Sequence, residues 1–190
     1  MLEKIINAIP SSWIFFIIAA IFLFIGITSK NNNFFDVRKI FKQHFEVLNG
    51  NKFQIILFYI TPLLLAMGIV KLKVIDKDII NNMNIVISIF ISMFFAMLSI
   101  LCSFQLNESH EESTKKLYNQ LLKETFNSIL FESCLCIILL SLTIVELFID
   151  SFALNWHIFI ASTIIYYLLL VIVFNIFIIL KRIKKLFDNR

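Results

Sequence analysis

Long apolar blocks separated by short polar stretches set the rhythm of this chain. Runs dominated by Ile, Leu, Val and Phe occupy about 12–28, 53–71, 84–104, 126–149 and 156–180. Each is close to the ~20 residues that a helix needs to cross a bilayer, so the pattern predicts five spanning helices. The first block follows a weakly charged MLEKIINAIPSS and lacks a small-x-small cleavage pattern. It therefore reads as a retained span, with Trp13 as an interfacial anchor, rather than a cleaved leader.

Between the first two blocks, NNNFFDVRKIFKQHFEVLNG carries a different period. Phe34, Val37, Phe41, Phe45 and Leu48 recur at helical spacing opposite Arg38, Lys39 and Lys42. This predicts an interfacial helix over about 34–48, capped by Asn33 and ended by Gly50. Such a helix suits an anionic lipid surface or the underside of a bundle. Before the fourth block, Ser109 and Glu112 form a capping box. No Gly or Pro follows, so helix 4 is expected to run from about 110 to 149 and project into the cytoplasm, or else to break near Asn127. At 1.5 Å per residue that is ~60 Å, twice a hydrocarbon core. The projecting part, bearing Leu117, Tyr118, Leu121 and Phe126, would want a partner helix. Pro62 within FYITPLLLAMG should kink the second span, because it leaves the Phe58 carbonyl without a donor.

Composition supports the membrane reading. The chain is 59% hydrophobic and 16% charged over 190 residues, and a soluble domain of that size cannot hide so much apolar surface. Charge then sets orientation. With five spans, all of the 17 Lys and Arg except Lys4, Lys71, Lys73 and Lys77 fall on one side. The positive-inside rule places that side in the cytoplasm, with the N-terminus outside and the C-terminus inside. The expected class is an all-α, multi-pass protein of a bacterial inner membrane, one transmembrane domain over 1–190. Cys102, Cys134 and Cys136 all fall within spans and read as free thiols.

Polar residues inside the apolar blocks are the candidates for function. In span 4, Ser128, Glu132, Cys136, Thr143 and Glu146 share a face ~80° wide. Intramembrane acids face a bundle interior or water. Glu146 is close enough to the outer interface to reach headgroups, whereas Glu132 lies deeper. Asn175 in span 5 sits at the depth of Glu132, so an Asn175–Glu132 hydrogen bond is expected, within a subunit or between subunits. In span 3, Ser88, Ser92, Ser99 and Ser103 form a second stripe. Serines four apart allow close helix packing, and the same hydroxyls could line a pore.

No phosphate loop, H-E-x-x-H, G-x-S-x-G or C-x-x-C pattern occurs. The sequence therefore names no catalytic residue, metal ligand or cofactor. The cytoplasmic side carries Arg38, Lys39, Lys42, Lys115, Lys116, Lys181, Arg182, Lys184 and Lys185. These residues suit anionic lipid or, multiplied around an oligomer axis, an anionic ligand such as a nucleotide or oligonucleotide. Three functions fit: an oligomeric channel-like effector that perturbs ion balance, a sensor or anchor that recruits a soluble partner, and a small transporter subunit.

A bare bundle with FFDVRKIFKQHFEVLNG below the membrane and STKKLYNQLLKETF leading into a span resembles the small transmembrane components of bacterial anti-phage systems, the Hailong and Kiwa types. The likeness is one of architecture and composition. It implies antiviral defence by an inner-membrane homo-oligomer, a tetramer, under the control of a soluble partner or its nucleotide product.

Overall fold

The computed structural model describes residues 37–48, 52–103, 112–148 and 155–188. Its contacts divide the chain into 1–42 and 43–190, and each part is treated by itself. The expected first span, Asn33, Gly50 and the Ser109 cap lie outside the described residues. Among the described residues every element is helical. We number them α1 (Val37–Leu48), α2 (residues 52–72), α3 (Lys77–Cys102), α4 (Glu112–Phe148) and α5 (Asn155–Asp188).

Three of these helices, α3, α4 and α5, contain apolar stretches long enough to cross a membrane; the apolar part of α2, Ile56–Leu72, is shorter. The outward faces fit that solvent. Ile85, Ile89, Phe95 and Ile100 of α3, and Phe159, Ile160, Ile164 and Phe177 of α5, are all exposed. Apolar patches of this extent belong against lipid or another protein.

The helices of residues 43–190 pack in an order that differs from their order in the chain. α4 packs against α3 on one side and α5 on the other, and α5 also carries α2. α2 and α3 are joined by the tight 73–76 connection, yet α2 packs on α5 rather than on α3. The connection itself is well specified. Asp76 caps α3 by accepting from the Ile79 N–H at 2.8 Å, and Lys73 reaches its carboxylate at 3.0 Å. The Ile75 N–H donates to Ser162 Oγ of α5 at 3.1 Å, which ties the turn to the start of that helix.

α2 is not uniform. It runs as Lys52–Ile55, a π-helical turn over Ile56–Ile60, and Thr61–Leu72. Where a kink is expected from Pro62, the structure has a π-helical turn. Proline has no N–H to give the preceding turn, so that turn widens and the Thr61 N–H closes on the Ile56 carbonyl instead.

α4 has 37 residues and α5 has 34, so each is longer than ~30 Å of hydrocarbon requires. The length of α4 matches the sequence reading, but α5 continues past the expected limit at 180, through the basic KRIKKLFD segment. This continuation meets the need for a partner helix. The first turns of α4 and the last turns of α5 lie together, with Tyr118 and Leu186 both buried.

Candidate functional site

The buried polar residues gather along the α4–α5 seam and its flank on α2. The polar face of α4 turns inward: Ser128, Glu132, Cys136 and Thr143 are buried, and Glu146 is half-buried. Three side chains fix the register of the packing. Thr143 donates to Asn84 Oδ1 of α3 at 2.6 Å. Asn175 Nδ2 donates to Glu132 Oε1 at 2.7 Å. Arg182 Nη1 donates to the Glu124 carbonyl at 3.2 Å and to Ser128 Oγ at 3.0 Å. The contact anticipated from the matching depths of Asn175 and Glu132 thus forms within one protomer.

Glu132 is fully buried, and Asn175 is 1% exposed. A second layer backs the pair. Tyr59, on the π-helical turn of α2, lies beside the Asn175 side chain. Its hydroxyl is 2.9 Å from His44 Nε2. The His44 ring, 4% exposed, stacks on Phe131 of α4 with centroids 3.8 Å apart and planes 10° from parallel. Burial, reinforced by the Arg182 charge, lowers the His44 pKa to about 4. His44 is therefore a neutral imidazole at physiological pH. The result is a connected polar group, His44–Tyr59–Asn175–Glu132, reaching from α1 into the middle of α4.

Sequence reasoning singled out Glu132 and Asn175 but missed Tyr59 and His44. A signal for His44 was present, since Phe41, His44, Phe45 and Leu48 share the apolar side of α1 at helical spacing. A signal for Tyr59 is weaker: it lies three residues before Pro62, in the turn that the proline widens.

The serines of α3 occupy a different setting. Ser88, Ser92, Ser99 and Ser103 are all exposed. Asn84, Ile85, Ser88, Ile89 and Ser92 line an open groove along this helix. The Ser88 hydroxyl donates to the Asn84 carbonyl, Ser92 to the Ser88 carbonyl and Ser103 to the Ile100 carbonyl. Each proton is spent on its own helix, so the surface presents lone pairs outward. The structure thus keeps the two sequence stripes apart, the α4 face enclosed and the α3 face open.

Of the basic residues, Lys116 at the start of α4 and Lys181, Lys184 and Lys185 at the end of α5 are exposed, and Arg182 is half-buried against α4. Lys115 lies in the first turn of α4, one residue before Lys116. On α1, Arg38 stands beside Lys39, and Lys39 and Lys42 are exposed. Cys102 is exposed, Cys134 half-buried and Cys136 buried, all as free thiols. Among the described residues no cluster of His, Cys, Asp or Glu could hold a metal ion. No protein-family model, curated protein or solved structure matches the chain.

Proposed function

We propose that the chain is a five-span protein of a bacterial inner membrane, N-terminus outside and C-terminus cytoplasmic. In this reading it assembles into a homo-oligomer, a tetramer by analogy, and acts as a channel-like effector in anti-phage defence. The observation that carries the reading is the exposure of Ser88, Ser92, Ser99 and Ser103 on α3. Hydroxyl oxygens with no donor to meet are poorly suited to lipid. They suit a contact with another copy, or a water-filled path in which they replace part of an ion's hydration shell. Because Ser128, Glu132, Cys136 and Thr143 are buried, the exposed face of α3 rather than that of α4 supplies the path.

Gating by a cytoplasmic anionic ligand or partner is supported by charge. Lys116, Lys181, Lys184 and Lys185 stand at one end of the α4–α5 pair, where α4 starts and α5 ends. Repeated around an axis, they form a basic ring that attracts nucleotide phosphates or anionic lipid. The sensor or anchor alternative draws on the same end, because the paired ends of α4 and α5 extend beyond a bilayer's needs and could seat a soluble partner.

Purified protein in sealed liposomes tests the proposal. Ion flux that appears with an anionic nucleotide and falls at least about tenfold in Ser88→Leu/Ser92→Leu supports a channel lined by α3. Vesicles that stay ion-tight under every ligand, while a soluble protein binds the cytoplasmic end, would establish the anchor instead.

A further inference from the structure

Around Glu132 the hydrogen-bond inventory does not close, and the mismatch has a definite chemical form. Asn175 Nδ2 donates to Glu132 Oε1 at 2.7 Å, with Tyr59 beside the carboxamide. The other two oxygens of the pair, Glu132 Oε2 and Asn175 Oδ1, are buried and without a partner. Both are acceptors only, if the carboxyl is ionised. Turning the carboxamide over would not help, because an acceptor oxygen would then face Glu132 Oε1.

One proton removes the conflict. Placed on Oε2, it donates to Asn175 Oδ1, while Nδ2–H continues to donate to Oε1. The result is the closed ring of a carboxylic acid paired with a carboxamide. We propose that Glu132 and Asn175 form a proton-binding site, occupied in the folded protein and holding the acid neutral between α4 and α5. Tyr59 and His44 position the carboxamide. Neutral His44 shares a hydrogen bond with the Tyr59 hydroxyl at 2.9 Å, which holds Tyr59 beside Asn175. This goes beyond the channel reading and does not rest on it.

The surroundings leave the proton as the neutralising partner. On its own helix Glu132 is faced by Cys136; from α2 by Tyr59; and from α5 by Asn175, with Tyr167 beyond near Tyr59. Arg182, whose charge reaches His44, is turned to Ser128 and the Glu124 carbonyl. α3 adds no charge here: Lys77 and Asp78 stand in its first turn, at the Thr143 end of α4. A buried carboxylate without a counter-charge is far more costly than a neutral acid in a closed ring.

The site makes the α4–α5 seam a two-state element. With the proton present the ring closes; without it, like oxygens face each other and the helices are driven apart or water is drawn in. Infrared spectroscopy of the full chain in lipid vesicles reads this state directly. The expected result is a protonated carboxyl C=O band at neutral pH that shifts down in D2O. It should be missing in Glu132→Gln, whose amide closes the same ring and leaves the melting temperature unchanged. In Tyr59→Phe the band should move up, because the Asn175 carboxamide is less polarised and its oxygen accepts more weakly. The proposal is overturned if no such band exists, or if it survives in Glu132→Gln. It is equally overturned if Glu132→Gln melts well below the wild type. A band whose amplitude follows Na⁺ or K⁺ at fixed pH would make the ligand an alkali cation instead.

Discussion

Asn175→Leu isolates the contribution of the α4–α5 contact. The substitution keeps the branched heavy-atom outline of the side chain but removes the Asn175 donor to Glu132 Oε1, at 2.7 Å between residues 1% and 0% exposed. Leaving a buried polar group unsatisfied costs about 1–3 kcal/mol. A loss of about 2 kcal/mol corresponds to a shift of roughly 30-fold in the unfolding equilibrium. Glu132→Leu should cost a similar amount, because it orphans the Asn175 amide in turn. The double variant replaces both partners with apolar groups, a change that can be nearly neutral. A cycle of the four proteins should therefore give a coupling of at least ~1 kcal/mol, above the ~0.6 kcal/mol average for side-chain hydrogen bonds between membrane helices. Unfolding by SDS in mixed micelles, followed by helical circular dichroism, measures all four. If the two single losses add within about 0.3 kcal/mol, the pair is not coupled and the seam is held by packing alone.

Three further outcomes follow from other parts of the structure. The His44 pKa, lowered from 6.5 to about 4 by burial and Arg182, means that the unfolded chain binds a proton more readily than the folded one between those values. Stability is then fully present above pH ~6.5 and is lost as pH falls toward 4, by up to about 3 kcal/mol; denaturation at stepped pH should show this slope, and His44→Phe should abolish it. Tyr59→Phe leaves His44 Nε2 without a partner, so a loss of roughly 1–2 kcal/mol is expected in the same assay. The Asp76 carboxyl is held below its usual value by the Ile79 N–H and by Lys73. Asp76→Ala should speed amide hydrogen exchange at Ile79; unchanged protection would show the cap to be idle.

Much of this architecture was legible because bilayer physics writes itself as block length. The 84–104 block lies within α3, apart from its last residues, and the 126–149 block falls within α4 up to Phe148. Glu132 and Asn175 could be paired from depth alone, since each lies about six residues inside its block. The lower end of α5 was less visible. KRIKKLFD reads as a polar tail by hydropathy, but Leu186 is buried, so the helix is extended by packing on α4 rather than by apolar content. His44 escaped for a related reason: its apolar face emerges only once it is aligned with Phe41 and Leu48. Which stripe stays open was not legible at all. The α4 and α3 stripes have the same helical spacing, and only the packing order, with α4 between α3 and α5, distinguishes them.

The central claim is that the α3 serine face meets water or a second copy rather than lipid. It is tested most directly by Ser92→Cys in a chain whose Cys102, Cys134 and Cys136 are replaced by Ala. In sealed vesicles, a charged thiol reagent that cannot cross lipid is added with the activating nucleotide. The account predicts that Cys at 92 is modified from the aqueous side and that modification blocks ion flux. A residue that stays unmodified and uncross-linked between copies, with flux unaffected, would contradict it.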